Sequence, residues 1–137
     1  DKYGQVHALL GLGYNHLQLK KFQQAILYLE QSTSIIEERG IDRMLLLSSL
    51  TFLSLGYKKT GKKFDKAKIL MLIEKVPNYE YVGYFELYKL LEDQLYINKT
   101  YNIVQNLAHH LTSDVKTRFL ASPIVKEIIT VWEKLNN

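Results

Sequence analysis

Apolar residues recur along this chain three or four positions apart, in successive stretches separated by short polar, glycine or proline breaks. That spacing places them on one face of a helix. No stretch alternates with period two over a useful length, so no sheet is expected and the fold class is all-α. The first helix is predicted over about 3–19, with Val6, Leu9, Leu10, Leu12, Leu17 and Leu19 covering more than half of its surface. A helix patterned this way is contacted on two sides. Gly11 and Gly13 each weaken a helix interior by about 1 kcal/mol relative to alanine, a cost expected where a neighbouring backbone approaches. The turn falls at Lys20-Lys21, and a second helix follows over about 22–38, with Phe22, Ala25, Ile26, Leu29, Ile35 and Ile36 inward and Gly40 as its stop.

The third helix, from Asp42 to about Thr60, contains MLLLSSLTFLSLGY. It is apolar nearly all round and should be the most buried. A fourth is expected over about 63–75, with Phe64, Ala67, Leu70, Met71 and Ile73 inward, closed by Val76-Pro77 because the residue before proline avoids the α region. The fifth, about 79–96, is rich in tyrosine, and Asn98 is expected to make the turn into a sixth over about 99–111 with Tyr101, Val104, Leu107, Ala108 and Leu111 as its stripe. A short segment over 113–121 has Ser113 as its expected N-cap. Ser122-Pro123 then reads as the N-cap and first turn of a last helix. There Ile124, Val125, Ile128, Ile129, Trp132 and Leu135 share one face, as a terminal capping helix requires.

Phe22-x-x-Ala25 recurs as Phe64-x-x-Ala67 and, more weakly, as Tyr101-x-x-Val104, each just after a lysine-containing turn. A period of about 35–45 residues with two helices per unit is the mark of an α-solenoid. The expected units are about 3–40, 41–78 and 79–112, with a cap over 113–137, forming a single domain over 1–137.

The first unit resembles a tetratricopeptide repeat: Leu9, Leu12-Gly13, His16, Phe22, Ala25 and Leu29 match that family's pattern in order and spacing. His16, Ser32 and Glu37 depart from the tyrosine, alanine and proline usual at their positions. In the second unit Leu50, Leu53, Tyr57 and Gly61 fit, Phe64 and Ala67 sit one residue late, and Ser54 stands where the first helix has its glycine. The third unit follows the pattern only in helix length and position. The resemblance implies an α-solenoid of about three helical hairpins, with the first helix of each pair lining a concave face. It further implies that His7, Tyr14, Gln18, Ser48, Thr51, Lys58, Tyr81, Tyr84 and Tyr88 lie on that face, together with Leu10, Leu17 and Leu55. The three leucines serve equally well as packing residues against a neighbouring helix. This mixture suits an extended or helical peptide better than a highly charged ligand. Some members hold a partner's C-terminal carboxylate in a lysine and asparagine clamp; Leu10 and Tyr14 stand where the first clamp residues would be, which argues against that role.

Composition narrows the chemistry. The 137 residues contain no cysteine, which excludes disulfides, thiol catalysis and cysteine-ligated zinc and fits a reducing compartment. No apolar run approaches the roughly 18 residues of a membrane span. The net charge is +4. Six lysines crowd into Lys58-Lys59-x-x-Lys62-Lys63-x-x-Lys66-x-Lys68, either a solvated turn or a contact for nucleic acid or an acidic partner. His109-His110 point about 100° apart on a helix, so they do not share one metal ion. Gly11-Leu12-Gly13 lies inside a helix rather than after a strand and is no dinucleotide site. No catalytic constellation, metal site or cofactor site is present in the pattern, so no enzyme is expected.

The long units and many Tyr, Lys, Ile and Asn residues are similar in style to the C-terminal repeat domains of Rap- and PlcR-type regulators, bacterial sensors of short signalling peptides. That resemblance implies a cytoplasmic, peptide-sensing domain acting in quorum sensing and transcription regulation, with nucleic acid touched only through an upstream domain. The opening DKYGQV runs straight into a helix, and the expectation is a fragment of a larger protein. The alternative is a structural scaffold or homodimerisation module with no peptide ligand.

Overall fold

The computed structural model describes residues 1–40 and 42–137; Ile41, which opens the second expected hairpin, lies outside the described residues. The described residues form eight helices and no strand, an all-α chain as the periodicity predicts. They make two compact units, Asp1–Tyr79 and Glu80–Asn137.

The first unit holds α1 (Lys2–Gln18), α2 (Phe22–Arg39), α3 (Arg43–Lys59) and α4 (Lys66–Glu74). Local chemistry sets the helix ends. The Asp1, Asp42 and Asp65 carboxylates accept hydrogen bonds from the backbone N–H groups of Gly4, Met44 and Lys68, satisfying donors that a first turn leaves orphaned. Gly40 ends α2 in the left-handed region, with φ 63°. Helix α2 packs on both α1 and α3, and α3 also touches α1 and α4. Val6, Leu9, Ala25, Ile26, Leu29, Leu47 and Ile69 are buried in this unit. Helix α3 is buried from Thr51 through Gly56 without interruption, in keeping with its all-round apolar pattern.

Two glycines permit this packing. A Cβ on Gly13 would lie 2.5 Å from Leu29 Cδ2, and one on Gly56 would lie 2.9 Å from Ile26 Cγ1. On α3 the close approach falls at Gly56, against Ile26 of α2 in the first hairpin, and not at Ser54. Gly11, expected to do the same work as Gly13, faces open space. Leu12 and Leu19, expected inside, are exposed.

Helix α4 starts three residues later than its apolar pattern suggests. Asp65 caps it, so Phe64 precedes the helix and is only half-buried, while Ala67 is exposed in the first turn. Ile69 and Leu72 carry its packing; Leu70 and Met71 face outward. Phe64-x-x-Ala67 thus repeats the letters of Phe22-x-x-Ala25 without repeating the burial of Ala25.

The second unit holds α5 (Tyr81–Leu91), α6 (Gln94–His109), α7 (Ser113–Ala121) and α8 (Pro123–Leu135). The helix expected over 79–96 breaks early. Glu92 takes a left-handed conformation at φ 56°, and Asp93 caps α6 through the Leu95 N–H at 2.9 Å. Tyr96 and Ile97 are consequently buried from α6, Leu95 is exposed, and Asn98 lies inside a helix rather than at a turn. Phe85, Ile97, Val104, Val125 and Ile128 form the core of this unit. Thr112, not Ser113, precedes α7 as its N-cap. Ser122-Pro123 opens α8 as expected, with Val125 and Ile128 turned into the core. Among the described residues no helix is long and apolar enough to cross a membrane.

Candidate functional site

The residues expected on one face divide by accessibility. His7, Tyr14 and Gln18 lie seven and four residues apart along α1, a spacing that keeps them on one side of a helix. His7 and Gln18 are exposed and Tyr14 is half-buried. The His7 ring meets the edge of Tyr3, with centroids 4.7 Å apart. The Tyr14 ring leans on Phe52 of α3 at 5.1 Å, a contact between the first helices of the two hairpins that sequence spacing did not announce. Leu10, Leu17 and Leu55 are buried and act as packing residues.

On α3, Ser48 is buried and its hydroxyl shares a 2.6 Å hydrogen bond with the Tyr79 hydroxyl. Thr51 is fully buried, and its Oγ1 has no hydrogen-bond partner among the described residues. Lys58 is half-buried in the last turn of α3, where positive charge complements the helix dipole. Neither Ser48 nor Thr51 offers a side chain to solvent.

In the second unit the tyrosines chiefly hold their own helices together. Tyr84 is buried and stacks on Tyr96, with centroids 6.4 Å apart, while Lys99 Nζ lies 5.4 Å from its ring. Tyr81 is half-buried, edge-on to Phe119 at 6.3 Å, and Tyr88 is half-buried against the core.

Three polar features were not anticipated. Tyr57 donates a 2.7 Å hydrogen bond to Glu30; loss of hydration by burial, and then the Glu30 carboxylate, push its pKa up to about 12. Glu86 is buried in α5, and burial raises its pKa against the opposing pull of Lys89, which lies 3.2 Å away. The i, i+3 spacing of Glu86 and Lys89 was the available signal, but nothing local distinguishes a buried pair from a solvated one. Glu37, at the negative end of α2, is offset by Lys68 of α4 at 2.5 Å.

Two lysines of the run, Lys63 and Lys68, line a groove. The end of α3, the loop after it and the start of α4 enclose about 430 Å³, floored by Leu50, Leu53, Phe64 and Ile69 and edged by Tyr57 and Lys63. His109 and His110 stand with ring centroids 5.5 Å apart and planes at 89°; among the described residues no group of three or more His, Asp or Glu side chains is arranged to hold a metal ion.

No family model, no curated protein and no solved structure matches this chain.

Proposed function

We propose that this chain is a peptide- or protein-binding helical-repeat module, taking an extended or helical segment along the outer side of α1. The observation that carries this reading is the row His7, Tyr14, Gln18. Two exposed hydrogen-bonding side chains flank an aromatic ring held in place by Phe52 and still partly open to solvent. A ring fixed before binding loses little rotamer entropy on contact, and such aromatics supply much of the energy at interfaces. The repeat reading is supported by the packing of α2 between α1 and α3 and by the contact of α1 with α3, as stacked hairpins require. The resemblance to Rap- and PlcR-type domains extends the proposal to an intracellular bacterial regulator whose signalling peptide shifts the arrangement of its helices.

The test is selection of a phage-displayed random peptide library on the protein. Enriched peptides are resynthesised with a fluorescent label and titrated against wild type and His7→Ala/Gln18→Ala. The expected result is a recurring peptide pattern whose affinity falls about tenfold in the double variant, a loss of the size that truncating central interface residues produces. Equal affinity in both proteins, or no enrichment, overturns the reading.

A second reading, a dimerisation module without a peptide ligand, is favoured by Leu27. It is 60% exposed on α2 and shares a shallow groove with Ile35. A concentration-dependent dimer in sedimentation, abolished by Leu27→Asp, would favour it over the peptide site.

A further inference from the structure

We propose that the groove between α3 and the lead-in to α4 is a separate docking site, which takes an acidic peptide segment carrying one bulky apolar side chain. The residues involved lie outside the α1 row, so the inference stands independently of the function proposed above.

The fold leaves positive charge uncompensated around this turn. Lys68 is paired with Glu37, and Lys62 Nζ sits 5.7 Å from the Tyr57 ring centroid. Lys59, Lys63 and Lys66 are exposed, and none of them forms an ion pair with a carboxylate among the described residues. The carboxylates nearby are already engaged: Asp65 caps α4 and Glu30 accepts from Tyr57. A run of lysines that served only to solvate a turn would need no apolar floor beneath it. Here the floor is Leu53 and Ile69, both buried, with half-buried Leu50 and Phe64 beside them. The space of about 430 Å³ admits a large side chain and its neighbouring backbone.

An apolar trough edged by Lys63 and Lys68, with exposed Lys59 and Lys66 nearby in the chain, selects a complementary ligand: an apolar anchor flanked by carboxylates. Nucleic acid fits less well. The run contains no arginine, and the floor is largely aliphatic and offers few rings for base stacking.

The probe is a fluorescein-labelled peptide with glutamates and aspartates on either side of one central phenylalanine, followed by anisotropy. Binding is expected to be saturable and to weaken as salt rises. It should fall about tenfold when the phenylalanine is replaced by serine, and about tenfold in Lys59→Glu/Lys63→Glu/Lys66→Glu. His7→Ala/Gln18→Ala should bind the probe as wild type does, which separates this site from the α1 row. A titration of ¹⁵N-labelled wild-type protein needs no variant, and it should shift the amides of Tyr57, Lys63 and Ile69 while leaving His7 and Gln18 in place. Equal binding by an oligoglutamate of the same length, tighter binding by a single-stranded DNA oligonucleotide, or amide shifts elsewhere would each overturn the proposal.

Discussion

Gly13 of α1 lies directly against Leu29 of α2: a Cβ at Gly13 would come within 2.5 Å of both Leu29 Cγ and Cδ2, and Leu29 is fully buried. Gly13→Ala is therefore expected to destabilise the protein by about 1–3 kcal/mol despite better helix propensity, because overpacking shifts side chain or backbone. Gly11, two residues earlier, meets nothing within 4 Å. Gly11→Ala should stabilise by about 0.5–1 kcal/mol, the intrinsic helical preference of alanine over glycine. Urea denaturation followed by circular dichroism checks both, and the opposite signs are the point of the comparison.

Two hydroxyls two residues apart on α3 should respond oppositely to removal. Ser49 Oγ lies 2.6 Å from Ser32 Oγ and 2.7 Å from Thr33 Oγ1, tying α3 to α2 in a buried cluster. Ser49→Ala strips the Thr33 hydroxyl of that partner and should cost about 1–3 kcal/mol. Thr51 Oγ1 is buried with no partner among the described residues. Thr51→Val keeps the shape and removes the unsatisfied hydroxyl, so a gain of about 1 kcal/mol is expected. A loss of stability in Thr51→Val would mean that the hydroxyl has a partner in solution.

The one tryptophan reports on the second unit. Trp132 of α8 stacks on Tyr101 of α6, with centroids 3.8 Å apart and planes within 5°. Tyr101→Leu retains apolar bulk but loses the ring contact. It should lower the midpoint of unfolding monitored by Trp132 fluorescence, by the equivalent of about 0.5–1.5 kcal/mol.

Glu86 makes stability depend on pH. Burial raises its folded pKa above the ordinary value of 4.5, with Lys89 opposing and Glu127 adding to the shift. The folded state therefore keeps the proton to a higher pH than the unfolded chain does. Its contribution is fully present below the unfolded pKa and is lost as pH rises through the folded one. Glu86→Gln cannot titrate and should lose this slope, so its urea midpoint relative to wild type should climb as pH rises from about 4.5 towards neutrality. A constant difference across that range would show that the buried carboxyl does not carry the effect.

Most helix positions were legible in the sequence, because a helix is specified by 3.6-residue periodicity and by caps a few residues away. Asp42, Gly40 and Ser122-Pro123 sit at the helix ends they predict. The break at Glu92 was not legible, since a non-glycine residue in the left-handed region costs about 1–2 kcal/mol and leaves no compositional mark. Asp93 was a usable N-cap signal, overshadowed by the apolar spacing of Tyr81, Tyr84, Tyr88, Leu91 and Leu95, which runs past it.

Of the candidate site, the row His7, Tyr14, Gln18 came from the resemblance to a helical repeat, and helical spacing puts those residues on one side of α1. It could not separate them from Ser48, Thr51 and Tyr84, which have similar chemistry and are buried. Burial depends on what a helix meets from elsewhere in the chain, and no local pattern encodes that. The same holds for the lysines: the sequence placed six of them in one run, and only the tertiary structure set an apolar groove beside Lys63 and Lys68, lined by Leu53 of α3 and Ile69 of α4. The sequence by itself determined an all-α chain and the faces its helices could use. Packing between residues distant in the chain decided which of those faces remained open.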